Sequence, residues 1–255
     1  APRRGGATIG LVPTMGYLHE GHLSLLDLAR DKGDFLCVSV FVNPLQFGPG
    51  EDLQRYPRDL DRDLRLLEGR GADLVFSPSV EEMYPGGKPQ VSVDPGPMAR
   101  LLCGRFRPGH FRGVLTVVAR LFGLFRPDLA VFGQKDLQQS VLIRRMTRDL
   151  EMGASVLVGP VIREADGLAL SSRNVFLSPD ERRQALGLRK GLLAAQAAFR
   201  EGARKGQDLR RALIREVEGH PDLKLQYGEV VHPETLEGLD VAGEGAVVAV
   251  AGLWG

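Results

Sequence analysis

The sequence predicts an α/β protein, in which a doubly wound parallel sheet is followed by a smaller α+β domain. Short apolar runs alternate with helical patterns up to Val158, and this alternation is typical of parallel strands joined by crossover helices. After Gly159-Pro160 the order changes to two helices followed by two strands. We therefore expect a first domain over residues 1–160 and a second, smaller C-terminal domain over residues 161–255.

The opening stretch at residues 8–26, TIGLVPTMGYLHEGHLSLL, is the first strand-loop-helix unit. Ile9 to Val12 is predicted to be a strand that Pro13 ends, and helical periodicity begins near His19. A helix that begins after a Gly-containing loop leaves unpaired backbone N–H groups and the positive end of its dipole at one place. This arrangement favours an anion, most of all a phosphate.

Two histidines mark the start of this helix. His19 and His22 are three residues apart, so they share one face of the first turn. Gly21 between them allows a backbone or a ligand to approach closely. The histidines could instead be ordinary surface residues. A metal site is the weaker interpretation, because no HExxH motif and no nearby Cys or carboxylate completes a ligand set.

The remaining elements of the first domain follow from apolar runs and amphipathic periodicity. Strands are predicted at Phe35 to Val42, Leu74 to Phe76, Leu129 to Phe132 and Ser155 to Val158, and helices at Asp59 to Leu67, at Val114 to Phe125 and from Gly133 to near Leu150. Right-handed crossovers bring the ends of parallel strands to one rim of the sheet, where α/β proteins bind ligands.

Polar residues follow several of these strands. Gln46 lies in the loop NPLQFG, where it is either a site residue or an exposed loop amide. Lys135 lies in GQKDLQQ, at the start of the helix after the fourth strand. The run Ser171-Ser172-Arg173-Asn174 has hydroxyl, guanidinium and amide groups that suit phosphate oxygens, although such a string is often a turn.

The start of the first helix in the second domain is marked by a clear capping pattern. Ser178 is a predicted N-cap, followed by a first-turn proline and two acidic residues. The predicted elements are helices to about Ala203 and over Leu209 to Val217, and strands over Leu223 to Val231 and Ala246 to Ala251.

Composition excludes several classes of protein. Lys and Arg number 33 and Asp and Glu 32, so a net charge of +1 gives no basis for binding nucleic acid or a membrane surface. No apolar run reaches the roughly 18 residues that span a bilayer, and APRRGG at the start does not resemble a leader. Cys37 and Cys103 have no CxxC partner, which indicates a reducing, cytoplasmic setting.

Five stretches together carry a family resemblance. They are PTMGYLHEGH at 13–22, FVNPLQFG at 41–48, RPGHFRGV at 107–114, VFGQKDLQQ at 131–139 and READGLALSSRN at 163–174. With them the chain resembles the pantothenate synthetases, the pantoate–β-alanine ligases of the H-x-G-H nucleotidyltransferase superfamily, and the resemblance implies a Rossmann-like first domain. H-x-G-H alone would not separate the members of that superfamily, whereas the other stretches do.

The resemblance implies a two-step reaction. Pantoate and Mg-ATP give pantoyl adenylate and pyrophosphate, and the amine of β-alanine then attacks the adenylate to give pantothenate and AMP. It implies that His22 is the proton donor, with His19, Lys135 and Arg173 as the other catalytic residues. These groups would offset the charge that gathers when a carboxylate attacks a phosphate.

The resemblance also implies the binding residues. Pantoate would be held by Gln46 and Gln139, with Gln46 also near β-alanine. The ATP site would be lined by Met15, Gly16, Tyr17, Leu18, His19, Glu20, Gly21, His22, Gly133, Gln134, Lys135, Asp136, Ile162, Leu170, Ser171, Ser172 and Arg173.

The chain departs from the family pattern at two positions. Gln134 stands where members often have Glu, and Arg62 stands where some members have one acid of a pair that helps to hold magnesium. We therefore expect Mg²⁺ to be held mainly by ATP phosphates and water, with Asp63 as the candidate protein ligand. The resemblance further implies a homodimer, and Val114 to Phe125 is either part of its interface or buried within the first domain.

Two further expectations concern the ends of the chain and its domains. Family members extend further at both ends, so we expect a truncated product. We also expect the second domain to close over ATP about Gly159-Pro160, as a lid that carries Ser171 to Arg173. The alternatives to the ligase are another H-x-G-H adenylyltransferase, for example one that acts on a phosphorylated substrate, and an inactive truncated nucleotide-binding chain.

Overall fold

The structure, a computed structural model, describes residues 6–254 in two compact units. Within that range the first unit comprises residues 6–96, 108–162 and 170–173, and the second comprises residues 97–107, 163–169 and 174–254. The expectation about a leader falls on residues 1–5, which lie outside the described residues.

The main change of unit comes after Ile162, two residues beyond the predicted boundary. Two segments differ from the prediction: Pro97–Arg107 belongs to the second unit, and Leu170–Arg173 belongs to the first. The backbone N–H of Leu170 donates to the carbonyl of Ile162 at 3.0 Å, and this bond ties the returning segment to the first unit. The expected closure of a lid stays a prediction, but it no longer follows from the position of Ser171 to Arg173.

A parallel sheet forms the centre of the first unit and confirms the predicted fold class. Among the described residues it has five strands in the order β3-β2-β1-β4-β5, so the chain winds outward in both directions from β1. The point between β1 and β4 is where a doubly wound sheet opens a crevice for ligands. The strands are β1 (Ile9–Thr14), β2 (Phe35–Val40), β3 (Leu74–Phe76), β4 (Leu129–Gly133) and β5 (Ser155–Gly159).

Helices follow the strands of the first unit, and the longer ones bury apolar residues. The helices are α1 (Glu20–Arg30), α2 (Leu60–Gly69), α3 (Val80–Met83), α4 (His110–Phe125) and α5 (Leu137–Asp149). Leu26 of α1 and Leu67 of α2 are fully buried against Val12, Val38 and Val131 of the strands. Most of α4 is buried within the first unit as well, which favours the second of its two predicted roles.

The first strand is longer than predicted. β1 continues through Pro13 to Thr14, in register with Ser39 and Val40 of β2. The ladder to β4 on its other side involves only Gly10 and Leu11. Proline lacks a backbone N–H, and at this point the strand has a partner on one side only, so the missing donor is tolerated.

The second unit is α+β, as predicted. Its elements are α6 (Pro179–Arg200), α7 (Gly206–Glu218), β6 (Leu223–Val231) and β7 (Val247–Trp254), and the two strands are antiparallel. Ser178 caps α6 in a capping box with Glu181, which confirms the predicted start. Over residues 6–254, none of the helices combines the length and the apolar character that crossing a bilayer would require.

Candidate active site

The two histidines form the first turn of α1 and bond to its backbone. His19 is the N-cap, and its Nδ1 accepts the N–H of Gly21 at 3.1 Å. The Nδ1 of His22 accepts the N–H of His19 at 3.3 Å. A ring nitrogen that accepts a backbone N–H carries no proton, so in both neutral rings the proton lies on Nε2. The sequence of the turn thus provides two Nε2–H donors at a helix N-terminus.

Gly21 is needed because the ring of His19 folds back over it. A Cβ at this position would lie 2.9 Å from both Nδ1 and Cε1 of His19, which is closer than such atoms approach. The group that lies closest to Gly21 is therefore the neighbouring histidine ring, and not the backbone or ligand that was expected.

His22 is held in the neutral form. Burial, together with the neighbouring His19 and Lys135, lowers the pKa of His22 from 6.5 to about 3. The rings of His19 and His22 are 4.1 Å apart, so protonating both would place two positive charges side by side. At neutral pH His22 is consequently a neutral donor through Nε2–H.

A dependence of stability on pH follows from this shift. Between pH 6.5 and 3 the unfolded chain binds a proton at His22 that the folded chain does not bind, so the stability that this group provides above pH 6.5 is lost as the pH falls. The slope reaches up to about 1.4 kcal/mol per pH unit. Urea unfolding at pH 7 and pH 5 should show a smaller loss for His22→Asn than for the unmodified chain. Equal losses would contradict the assignment.

Asp63 holds the loop in front of α1. Its side chain is 1% exposed, and its carboxylate accepts the N–H groups of Tyr17 at 2.6 Å and Leu18 at 2.7 Å. The neighbouring Arg62 donates to the carbonyl of Leu18 at 2.9 Å. Burial raises the pKa of Asp63, while these two backbone hydrogen bonds and Arg62 oppose the rise. Asp63 thus lies inside the protein, although it belongs to the amphipathic helix α2.

These contacts also test Asp63 as a magnesium ligand. Both of its oxygens accept backbone N–H groups, and the side chain is 1% exposed. Across residues 6–254 no group of three or more His, Cys, Asp or Glu side chains is arranged to hold a metal ion. Asp63 thus holds the loop in this structure, and its role as a magnesium ligand stays a prediction.

Side chains from separate segments lie near Asp136, at the turn between β4 and α5. The Lys135 ammonium, 3.7 Å away, holds the pKa of the Asp136 carboxyl below its usual range. The side chains of Arg173, His110 and His22 lower this pKa in the same direction. Because electrostatic effects of this kind need proximity, these groups lie around one carboxylate. Two permanent cations, Lys135 and Arg173, are therefore among them, and cations at this place suit a polyphosphate.

Arg173 is held in place by two side chains of the first unit. Its guanidinium donates to both oxygens of Asp52, at 2.6 and 3.0 Å, and lies 5.1 Å over the ring of Tyr56. The preceding Ser172 is buried, and its Oγ donates to the carbonyl of Tyr17 at 3.0 Å. The segment with Arg173 thus contacts the loop that leads to the two histidines.

Gln46 is a buried, oriented amide and not an exposed loop residue. Its side chain is 8% exposed, its Oε1 accepts the Nδ2–H of Asn43 at 3.0 Å, and its Nε2 donates to the Sδ of Met15 at 3.2 Å. The Nδ1 of His110 donates to its backbone carbonyl at 2.8 Å. His110 therefore supports the loop of Gln46, a function that sequence inspection did not assign to it.

The short 3₁₀ turn that carries Gln46 lies directly on α4. A Cβ at Gly113 would collide with the backbone carbonyl of Leu45 and would lie 2.6 Å from the N of Gln46. Gly113 is needed here because it lets the helix backbone touch the turn.

The structure places all of the predicted site residues in the first unit, but it does not bring all of their side chains toward the histidines. The side chain of Glu20 pairs with Arg70 at 2.8 Å on the surface, so only its backbone can contribute to the site. Gln134 is exposed and Gln139 is partly buried. Sequence reasoning missed five supporting residues, which are Asn43, Asp52, Tyr56, Tyr84 and His110. Each has a partner distant in sequence that no local pattern marks, although Asn43 also bonds to Leu45 and Gln46 nearby.

A doubly wound sheet with two histidine donors at a helix N-terminus defines a phosphate-binding protein of the Rossmann-like class. The model of the family "Pantoate-beta-alanine ligase" matches residues 1–255. The chain belongs to this family. It is an ATP-dependent ligase that condenses pantoate with β-alanine through a pantoyl adenylate.

Curated relatives and solved structures agree with the assignment of the chain to this family. "Pantothenate synthetase" of Thermoanaerobacter sp. (strain X514) is 53% identical over 246 residues, covering 96% of this chain and 87% of the relative. The crystal structure of the enzyme from Thermus thermophilus superposes with a TM-score of 0.93 at 52% identity, over 97% of this chain and 89% of that one. The Francisella tularensis ligase, described as complexed with "Beta-gamma ATP and Beta-alanine", gives a TM-score of 0.74 at 32% identity, over 96% of this chain and 90% of that one.

Proposed function

We propose that the two histidines, Lys135 and Arg173 carry out the adenylation of pantoate. The observation that supports this most is the pair of Nε2–H donors at the start of α1, set by backbone contacts to Nδ1 of both rings. A carboxylate that attacks an α-phosphate brings two negative groups together. Fixed donors and cations at that place stabilise the charge as it develops.

In this proposal the histidines act first as neutral donors. The low pKa of His22 keeps its ring neutral in the absence of substrate. When the triphosphate binds, its negative charge favours the protonated form and the pKa rises again. That is the direction required for His22 to pass a proton to the leaving pyrophosphate.

Lys135 and Arg173 supply permanent charge in the same proposal. Lys135 is 40% exposed, so its ammonium can reach a phosphate without unfolding the turn. Arg173 presents a planar guanidinium whose position Asp52 and Tyr56 fix before ATP arrives. Since the assigned nucleotide residues all lie in the first unit, ATP can bind to that unit by itself.

Pantoate would be held by Gln46 and Gln139. An amide both donates and accepts, which suits a substrate with hydroxyl groups and a carboxylate. Gln46 is the better supported of the two because its amide is buried and oriented. The site should reject analogues that lack a hydroxyl, since binding them would leave an amide unpaired.

Magnesium would enter as part of Mg-ATP. Asp63 is occupied by the backbone, so the triphosphate oxygens and water supply the ligands. We further propose that the chain works in the cytoplasm, and its two free cysteines, Cys37 and Cys103, are consistent with a reducing compartment.

The direct test is an assay of AMP formation with pantoate, β-alanine and Mg-ATP. AMP should appear only when all three are present, and chelation of Mg²⁺ should stop the reaction. ATP consumption with a phosphorylated substrate in place of pantoate would favour another adenylyltransferase. Binding of ATP without any turnover would favour a nucleotide-binding chain without catalytic activity.

We also propose a homodimer. Leu124, at the C-terminal end of α4, is 56% exposed in the isolated chain, although most of that helix is buried. Light scattering should give twice the 27.8 kDa of the chain. A single species at 27.8 kDa across working concentrations would contradict the dimer.

A further inference from the structure

Tyr84 is a buried tyrosine that the reaction described above does not use. It follows the short helix α3, is 3% exposed, and its ring packs edge-on against Phe41 at 6.0 Å. Its hydroxyl donates to the Oδ1 of Asn43 at 2.8 Å. Burial raises the pKa of Tyr84 to about 12, so the hydroxyl keeps its proton and stays a donor at every working pH.

Asn43 has its amide bonded on both sides. The Oδ1 accepts from the hydroxyl of Tyr84 and, at 3.3 Å, from the backbone N–H of Leu45. The Nδ2 donates to the carbonyl of Gly113 at 3.1 Å and to the Oε1 of Gln46 at 3.0 Å. If the amide were flipped, its Nδ2 would face the backbone N–H of Leu45, and its Oδ1 would face the oxygens of Gly113 and Gln46. Its orientation is therefore fixed by these neighbours.

The orientation of Asn43 is passed on to the next amide. Because the Nδ2 of Asn43 needs an acceptor, the Oε1 of Gln46 must face it, and the Nε2 of Gln46 then points to the side of Met15. We infer that Tyr84 is a positioning residue, which acts through Asn43 to present the Nε2–H donors of Gln46 to an oxygen of the pantoate. This inference rests on the proposed function of Gln46.

The smallest test is Tyr84→Phe, which removes the hydroxyl and keeps the ring. The KM for pantoate should rise roughly five- to tenfold, the factor that corresponds to losing one neutral hydrogen bond. The KM for ATP should stay within about twofold, since the change reaches only the amide of Gln46. Tyr227→Phe in the second unit is the matched control and should leave both values unchanged. Urea unfolding of both variants tests whether the fold is retained.

A double-mutant cycle separates positioning from general damage. If Tyr84 acts through Gln46, adding Tyr84→Phe to Gln46→Ala should cause no further rise in the KM for pantoate. Additive effects would overturn the inference, as would an unchanged KM in Tyr84→Phe when Gln46→Ala raises it. If Gln46→Ala leaves the KM for pantoate unchanged, the proposed function of Gln46 fails, and the inference fails with it.

Discussion

Replacing His22 with alanine is expected to slow the formation of pantoyl adenylate by roughly 10²–10³-fold. The Nε2–H of His22 is a donor fixed by the backbone, because its Nδ1 accepts the N–H of His19. Losing a donor that is already oriented raises the barrier to adenylate formation, whereas water could take the place of a donor on a flexible side chain. Single-turnover measurement of adenylate, with pantoate and Mg-ATP but without β-alanine, isolates this step.

Two further substitutions distinguish the contributions of the two ring nitrogens of His22. His22→Asn keeps an acceptor where Nδ1 lies and loses the Nε2–H, so it should be as slow as the alanine variant while keeping the helix start intact. His22→Gln offers an N–H near the position of Nε2 and should recover part of the rate. Circular dichroism gives the control for folding. An asparagine variant with near-normal adenylate formation would remove His22 from the mechanism.

The second large effect is expected at Asp63, on stability. Asp63→Ala leaves the N–H groups of Tyr17 and Leu18 without their acceptor in a buried position. Each unsatisfied group costs about 1–3 kcal/mol, so we expect a loss of roughly 2–5 kcal/mol in the free energy of unfolding. The affinity for ATP should fall too, because the freed loop leads directly into His19.

Asp61→Ala is the matched control, since Asp61 lies on the same helix and is exposed. Urea unfolding should show little change for this variant. Activity at increasing Mg²⁺ then separates the two explanations for Asp63. If Asp63 were a magnesium ligand, excess Mg²⁺ would restore the activity of Asp63→Ala, and the stability would match that of Asp61→Ala. Either result would contradict the role of Asp63 in holding the loop.

The sequence by itself determined the class of fold and the central pair of catalytic candidates. Strands β3 (Leu74–Phe76) and β6 (Leu223–Val231) have the bounds that were predicted, because a short apolar run and an alternation of apolar and polar residues are both local signals. The capping of α6 by Ser178 and the pairing of His19 with His22 on one turn are also local, since they depend on residues three positions apart. The family motifs added the reaction.

The tertiary structure alone decided which side chains support those candidates. Asp63 is buried where its carboxylate accepts a hydrogen bond from a loop 45 residues earlier in the chain. Ser172 reaches Tyr17 across 155 residues, and Arg173 reaches Asp52 across 121. Periodicity describes only neighbours within a turn or a strand, whereas these contacts arise when distant segments pack on the same sheet. For that reason the segment from Leu170 to Arg173 lies in the first unit although the sequence boundary placed it in the second, and Tyr84 could not be recognised from sequence at all.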